Sequence, residues 1–145
     1  MSPDNSLRDQ HDQLRRRLEE MGALLGREQG VGWDDCSDCD MPRFRSVLTS
    51  FLRELRLHEA AETRALSRLL NAPAPGRREL KRTYAKSHET LDHLVRLLST
   101  AAAIDHEGHV YSVRSIGYRV RQELESHFAY EELEILPLMT HEPAR

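Results

Sequence analysis

A histidine and a glutamate occupy two positions at which the helical pattern of apolar residues predicts leucine. Along residues 44–69 the apolar positions step alternately by four and by three residues, as in a helix packed within a bundle. A buried carboxylate without a partner is costly or takes up a proton, so His58 and Glu62 need a partner inside the fold, and a metal ion suits both. The members of this seam are Phe44, Leu48, Phe51, Leu55, His58, Glu62, Ala65 and Leu69.

Three further helical seams each carry a histidine where an apolar residue is expected, and the last also carries a glutamate four residues later. Within each His-x-x-x-Glu step the two side chains differ by about 40° around a helix, so both face one ion or neighbouring ions. The candidate metal ligands are His11, His58, Glu62, His88, His127 and Glu131.

Four long segments rich in Leu, Ala, Arg and Glu, with few Gly or Pro inside them, predict four helices. Most of the connections between them are short enough to force neighbouring helices to run antiparallel. Pro137 predicts an end or a kink in the last helix. We therefore predict an all-α fold, an antiparallel up-down-up-down four-helix bundle, as a single domain over residues 1–145.

The rise of a helix, roughly 1.5 Å per residue, tests whether the four histidines share one depth. His11 precedes the end of its helix by about fifteen residues and His58 follows the start of the next by about fifteen, so both lie about 22 Å from one end. His58 and His88 lie about twelve and eleven residues from the opposite end, and His88 and His127 about sixteen and seventeen from the first. We therefore predict one layer of inward histidines, with the two glutamates one turn deeper.

The composition excludes several classes of protein. With 21 Lys and Arg against 24 Asp and Glu, the chain lacks the broad basic field of most nucleic-acid-binding proteins. No stretch approaches the roughly 18 apolar residues of a membrane span, and the first residues lack the pattern of a signal segment, so we expect a cytoplasmic protein. Cys36 and Cys39 are too few for a disulfide scaffold, and an incidental exposed pair is favoured over a redox pair.

The number and kind of candidate ligands indicate which metals suit the site. Four imidazoles and two carboxylates exceed what one tetrahedral zinc ion requires. They match a pair of ions bridged by carboxylates, a kind of site that helical bundles hold in their cores. Mixed imidazole and carboxylate ligation suits iron or manganese, and the residues alone leave both open.

This pattern resembles the hemerythrin-like family, also called the HHE cation-binding domain, over nearly the whole chain. The resemblance implies a non-haem di-iron centre, oxo- or hydroxo-bridged, in which Glu62 and Glu131 bridge the irons and the histidines are terminal ligands, with manganese or zinc as lesser alternatives. The segment from His127 to Pro137 is also typical of the family's last helix. The family's motif, a His, a His-x-x-x-Glu, a His and a second His-x-x-x-Glu on successive helices, is met by His11, His58 with Glu62, His88, and His127 with Glu131.

The chain departs from the oxygen-carrying members at two places. They have a second histidine four residues after that of the third helix, where this chain has Asp92. Their last motif has an aspartate at a five-residue step, whereas this chain has Glu131 at a four-residue step. Carboxylate in place of imidazole stabilises the ferric state over the ferrous state that binds oxygen reversibly. The resemblance therefore implies reaction with dioxygen or peroxide, including catalase-like peroxide decomposition. The alternative is a non-catalytic module that senses iron or oxygen or handles iron.

The sequence leaves open the roles of four residues near the candidate ligands. Asp92 lies about 40° from His88 but one step off the seam, so it is either a metal ligand or a hydrogen-bond acceptor for one. Glu59 and Glu132 are expected to be exposed, although either would replace its neighbour if its helix rolled. Tyr84 is expected to pack in the core, with a hydrogen bond to a ligand as the alternative.

Overall fold

The computed structural model describes residues 3–24, 40–103 and 109–139, and no strand occurs among them. The prediction of an all-α four-helix bundle is confirmed. No helix in these three ranges is long and apolar enough to cross a membrane. The elements are α1 (Pro3–Leu24), α2 (Met41–Leu70), α3 (Arg77–Ala103), α4 (His109–Tyr130), a π-helical turn (Glu131–Ile135) and α5 (Leu136–Met139).

Neighbouring helices run antiparallel, as the contacts between them show. Along α1, Arg8 reaches the backbone of Glu132 and Arg15 reaches the carboxylate of Glu125, so residue numbers rise along α1 as they fall along α4. Between α2 and α3, Gly76 has a φ of 80°, in the left-handed region that glycine adopts without strain. The chain therefore reverses direction in a short turn and α3 returns along α2.

Asp40 brings the start of α2 to the end of α1. Its side chain accepts a hydrogen bond from the Arg43 N–H at 3.1 Å, which caps the first turn of α2, and its own N–H donates to the Leu24 carbonyl at 2.9 Å. The intervening residues 25–39 lie outside the described part of the chain. The interpretation of Cys36 and Cys39 as an incidental pair therefore stays a prediction.

The apolar core forms two clusters, and the candidate ligands lie between them along every helix. The large cluster is built around the fully buried rings of Phe44, Phe51 and Phe128. On α2 the predicted seam slips by one residue after Glu62, because an α-helix of 3.6 residues per turn drifts out of a strict 3.5-residue repeat. Leu66 is therefore buried in place of the predicted Ala65. The small cluster contains Leu7, Leu66, Leu69, Leu70, Ile135 and Leu136.

A π-helical turn interrupts the last helix, where Pro137 predicted an end or a kink. The N–H of Leu136 donates to the carbonyl of Glu131, five residues earlier instead of four. In the same pattern the carbonyl of Glu132 would accept from Pro137, which has no N–H. Arg8 Nη2 donates to that carbonyl instead, at 3.2 Å. The proline therefore shapes the segment that carries two of the acidic residues near the site.

Candidate metal centre

The structure brings the six candidate ligands together between the two apolar clusters. Five of them are at most 4% exposed, and the side chain of His88 is 20% exposed. Their ligand atoms form two groups, and within each group all atoms lie within 4.8 Å of one another. Both groups contain the two glutamates, so the six side chains make one continuous cluster. The groups are His11, His58, Glu62 and Glu131, and Glu62, His88, His127 and Glu131.

Glu62 divides its two carboxylate oxygens between the two pairs of histidines. Oε2 lies 2.9 Å from His58 Nε2 and 3.5 Å from His11 Nε2. Oε1 lies 3.2 Å from His88 Nε2 and 3.9 Å from His127 Nε2. One carboxylate therefore faces all four imidazoles, with one oxygen on each side.

Glu131, at the start of the π turn, is arranged in the same way. Its Oε1 lies 3.1 Å from His11 Nε2, and its Oε2 lies 2.9 Å from His127 Nε2 and 3.8 Å from His88 Nε2. Each of the two glutamates therefore lies close to histidines of both pairs at the centre of the bundle.

Several of these inward atoms are close to one another but do not form hydrogen bonds. His11 Nε2, His58 Nε2, Glu62 Oε2 and both carboxylate oxygens of Glu131 are buried without a hydrogen-bond partner. The 2.9 Å approach of His58 Nε2 to Glu62 Oε2 does not have hydrogen-bond geometry. Buried polar atoms normally find a partner, and nitrogen lone pairs and carboxylate oxygens around a common centre are the donors that a metal cation requires. The donor set therefore fits a bound metal.

The outward ring nitrogen of each histidine has its own partner, supplied by a neighbouring helix or by the π turn. For His11 and His58 the partner atom is an oxygen that accepts only, so Nδ1 carries the hydrogen and Nε2 is left to a metal. His88 Nδ1 lies in ion-pair range of Glu59, but the hydrogen bond of this ring runs from Nε2 to Glu62 Oε1, at 3.2 Å. The pairs are His58 with Gln10 at 2.7 Å, His88 with Glu59 at 3.3 Å, His127 with Ser87 at 2.7 Å, and His11 with Glu132 at 2.7 Å.

These four partners, Gln10, Glu59, Ser87 and Glu132, are named the outer ring below. Glu59 and Glu132 are only 27% and 19% exposed, so the expectation that both face solvent is wrong. Each carboxylate is instead drawn in by an imidazole of another segment of the chain. Neither replaces Glu62 or Glu131 at the centre, because each approaches the opposite side of its histidine.

Asp92 and Tyr84, whose roles the sequence leaves open, have different outcomes. The side chain of Asp92 is 55% exposed and accepts a hydrogen bond from Arg96 at 2.9 Å, so it does not join the centre. Its position off the seam turns it to the surface. The hydroxyl of Tyr84 donates to Glu62 Oε1 at 2.8 Å. The alternative prediction for Tyr84, a hydrogen bond to a candidate ligand, is the one that the structure supports.

The close carboxylates raise the pKa values of two histidines of the cluster, His11 and His88. Burial opposes protonation of His11, but its contacts with Glu131, Glu62 and Glu132 outweigh burial and raise its pKa to about 9. For His88, burial is likewise outweighed, by Glu131, Glu59 and Glu62, and the pKa rises to about 11. Burial would raise the pKa of Glu62, but the four imidazoles hold it well below its usual range. A metal cation would therefore take a place that protons otherwise fill.

The outer ring and its supports are the part of the site that the sequence did not predict. Arg15 contacts both carboxylate oxygens of Glu132, at 3.2 and 3.1 Å, and its guanidinium carbon lies 5.2 Å from the centre of the Phe128 ring. That ring stacks on His11, with centroids 4.0 Å apart and an angle of 11° between planes. The available signal was that every outer-ring residue directly adjoins a candidate ligand in the sequence.

Comparison with protein families identifies the family of the chain. A family model described as the hemerythrin HHE cation binding domain matches residues 2–139 of the chain. Comparisons with curated proteins and with solved structures gave no match. The matched range contains all four helices and all six candidate ligands. On the strength of this match over nearly its whole length, the chain belongs to the hemerythrin family of HHE cation-binding domains.

Proposed function

We propose that the cluster holds two iron ions bridged by Glu62 and Glu131, and that this centre reacts with dioxygen or peroxide. One observation carries the proposal: each glutamate directs one oxygen to one pair of histidines and the other oxygen to the second pair. Two ions, each with two imidazoles and a share of two carboxylates, fit that division. Mixed imidazole and carboxylate ligation suits iron or manganese, and bundle cores hold such paired sites.

The residues around the centre supply orientation and exclusion of water. An iron pair, when bound, supplies the redox chemistry that dioxygen or peroxide requires. Tyr84 fixes the Glu62 carboxylate through its hydroxyl, and the buried ring of Phe128 covers His11. Of the six candidate ligands, His88 is the most exposed, and it lies beside the half-buried Glu59. We therefore expect small molecules to reach the centre between α2 and α3.

Reaction is proposed in preference to reversible oxygen carriage. The two buried glutamates bring negative charge and hard oxygen donors to both ions, which favours the ferric state. Asp92 adds nothing to this argument because it lies at the surface. Within the described residues, α3 contributes only the imidazole of His88 to the centre, and no second one stands in the place of Asp92.

Metal analysis with a peroxide assay tests the proposal. We expect two iron ions per purified chain and near-ultraviolet absorption from an oxo-bridged ferric pair. With hydrogen peroxide, we expect oxygen evolution over many turnovers per iron. Glu131→Gln should remove both the near-ultraviolet absorption and the oxygen evolution. Asp92→Asn, a matched surface control, should keep them. A protein loaded only with zinc would contradict the iron centre, and consumption of one peroxide per centre would exclude the enzyme.

A second candidate function is a non-catalytic module that senses iron or oxygen or handles iron. The observation that favours it is the separation of the two apolar clusters by the candidate ligands. Without a cation, the layer of candidate ligands between the two clusters contains buried polar atoms that lack hydrogen-bond partners. Loss of metal would therefore destabilise the bundle at this layer. Limited proteolysis with and without iron tests this function, and identical cleavage in both states would exclude it.

We further propose that the protein acts in the cytoplasm without a nucleic-acid partner. The near balance of 21 basic and 24 acidic side chains supports the absence of nucleic-acid binding. Fractionation of cells that produce the protein tests the location.

A further inference from the structure

Two neighbouring glutamates of the π turn hold the same imidazole from opposite sides. Glu131 Oε1 lies 3.1 Å from His11 Nε2, and Glu132 Oε2 lies 2.7 Å from His11 Nδ1. A π turn contains more residues per turn than an α-helix, so adjacent residues differ by a smaller angle around the axis. Both side chains can therefore face α1, which consecutive residues of a regular α-helix, about 100° apart, do not.

Arg15 holds both the acceptor and the stacking partner of His11. Its two terminal nitrogens contact the two oxygens of Glu132, at 3.1 and 3.2 Å. Its guanidinium carbon lies 5.2 Å from the centre of the Phe128 ring, which stacks on the imidazole at 4.0 Å. The ring of His11 is therefore contacted at both nitrogens and on one face, and the whole side chain is buried.

The equivalent contact on the other side of the centre is weaker. Glu59 Oε2 lies 3.3 Å from His88 Nδ1, and the His88 side chain is 20% exposed, whereas Glu132 Oε2 lies 2.7 Å from His11 Nδ1 and the His11 side chain is completely buried. A shorter hydrogen bond between an imidazole and a carboxylate in a drier environment orients the ring more strictly.

We propose that Glu132 and Arg15 are positioning residues of the metal centre, which make the ion bound by His11 and His58 the more tightly held of the two. Glu132 accepts the Nδ1 hydrogen of His11, which leaves Nε2 to the metal and strengthens it as a donor, and Arg15 keeps the Glu132 carboxylate in place. This inference rests on the proposed function, because it requires a metal at the centre.

Competition between the metal-free protein and a chromophoric chelator for Zn²⁺ tests the inference. Wild type should bind two ions. Glu132→Ala should weaken one of them by about 10–100-fold, as loss of such hydrogen bonds to metal-bound histidines does elsewhere. Glu59→Ala should have a smaller effect. Glu125→Gln removes the charge of another partner of Arg15 without touching His11, so both wild-type affinities should remain.

Conservative variants separate positioning from general stability. Glu132→Gln keeps an acceptor for Nδ1 but loses the charge, so it should restore most of the Zn²⁺ affinity while the midpoint potential of the iron-loaded protein rises. Arg15→Met should weaken one ion by about tenfold. Circular dichroism of each metal-free variant checks the fold, and if Glu132→Ala fails to fold, the potential of Glu132→Gln decides.

Three results distinguish the possible failures. If wild type binds no metal, the proposed function fails and takes this inference with it. If wild type binds two ions and Glu132→Ala binds both with unchanged affinity, only the positioning role fails. Equal weakening of both ions would also overturn it, because a general loosening of the bundle explains that result.

Discussion

Glu62→Gln is the substitution that tests the centre most directly. The side chain is fully buried and approaches Nε2 of all four histidines, at 2.9 to 3.9 Å. Glutamine has the same shape but only one oxygen and no charge, so it cannot give an oxygen to each of two ions. We therefore expect the variant to lose metal at both halves of the centre while the apolar clusters still pack.

The expected effect on thermal stability follows from mass action. Free metal at 100 times the dissociation constant stabilises the folded state by about 2.7 kcal/mol per ion, or about 5 kcal/mol for two. For a domain of this size, roughly 4 °C of Tm corresponds to each kcal/mol, so wild type should melt roughly 20 °C higher with metal. In the Glu62→Gln variant the affinity is expected to fall. If each dissociation constant rises to about the free metal concentration, each ion adds only about 0.4 kcal/mol, and the total shift in Tm is roughly 3 °C.

Melting curves recorded by circular dichroism with Zn²⁺ and with a chelator measure this difference. Glu54→Gln is the matched control, because it makes the same chemical change in α2 at a carboxylate that contacts Arg17 and Gln13 and none of the candidate ligands. A Glu62→Gln protein that keeps the wild-type metal-dependent shift would refute a bridging role for this carboxylate. An equal loss in Glu54→Gln would show that net charge, and not ligation, sets the shift.

Three other perturbations have defined outcomes. Raising the pH from 6 to about 9 should tighten metal binding, because metal displaces the protons that His11 and His88 hold up to pKa values of about 9 and about 11. The protonated His11 and His88 stabilise the metal-free fold fully below pH 6.5, and this stabilisation is lost as the pH rises through about 9 and about 11. Calorimetry in several buffers at pH 7 should therefore detect about two protons released when metal binds. The absence of proton release would contradict this expectation. Pro137→Ala supplies an N–H that competes with Arg8 for the carbonyl of Glu132. Zn²⁺ affinity should therefore fall about tenfold through displacement of Glu132, and an unchanged affinity would show that the proline does not shape the site. Asp92→Asn should leave the Zn²⁺ affinity within about twofold, and a larger loss would return Asp92 to the centre.

The fold and the inward position of the candidate ligands were predictable because both follow from one periodic pattern. Apolar residues recur with the period of a helix, so they define a buried face, and a histidine on that face must point inward. Helix rise then places His11, His58, His88 and His127 at one depth, and the structure brings all four together. The slip from Ala65 to Leu66 shows the limit of a strict repeat over a helix as long as α2.

The outer ring was not predictable because it depends on the rotation of neighbouring helices. Glu59 is one residue from a seam position, and only the position of α3 beside it turns a surface carboxylate into a partner of His88. Pro137 indicated an irregular helix end without specifying its form. A π turn, unlike a kink, keeps the chain helical and places Glu131 and Glu132 on the same imidazole.

The order of pairs in the outer ring has a consequence for how the chain folds. Gln10 and Ser87 serve histidines within the α1–α2 hairpin and the α3–α4 hairpin, whereas Glu59 and Glu132 serve histidines of the opposite hairpin. Neither hairpin alone contains two histidines that are both held at Nδ1, or both central glutamates. We therefore expect metal capture to come late in folding, after the two hairpins dock, so that bound ions would lock an assembly that apolar packing has already built.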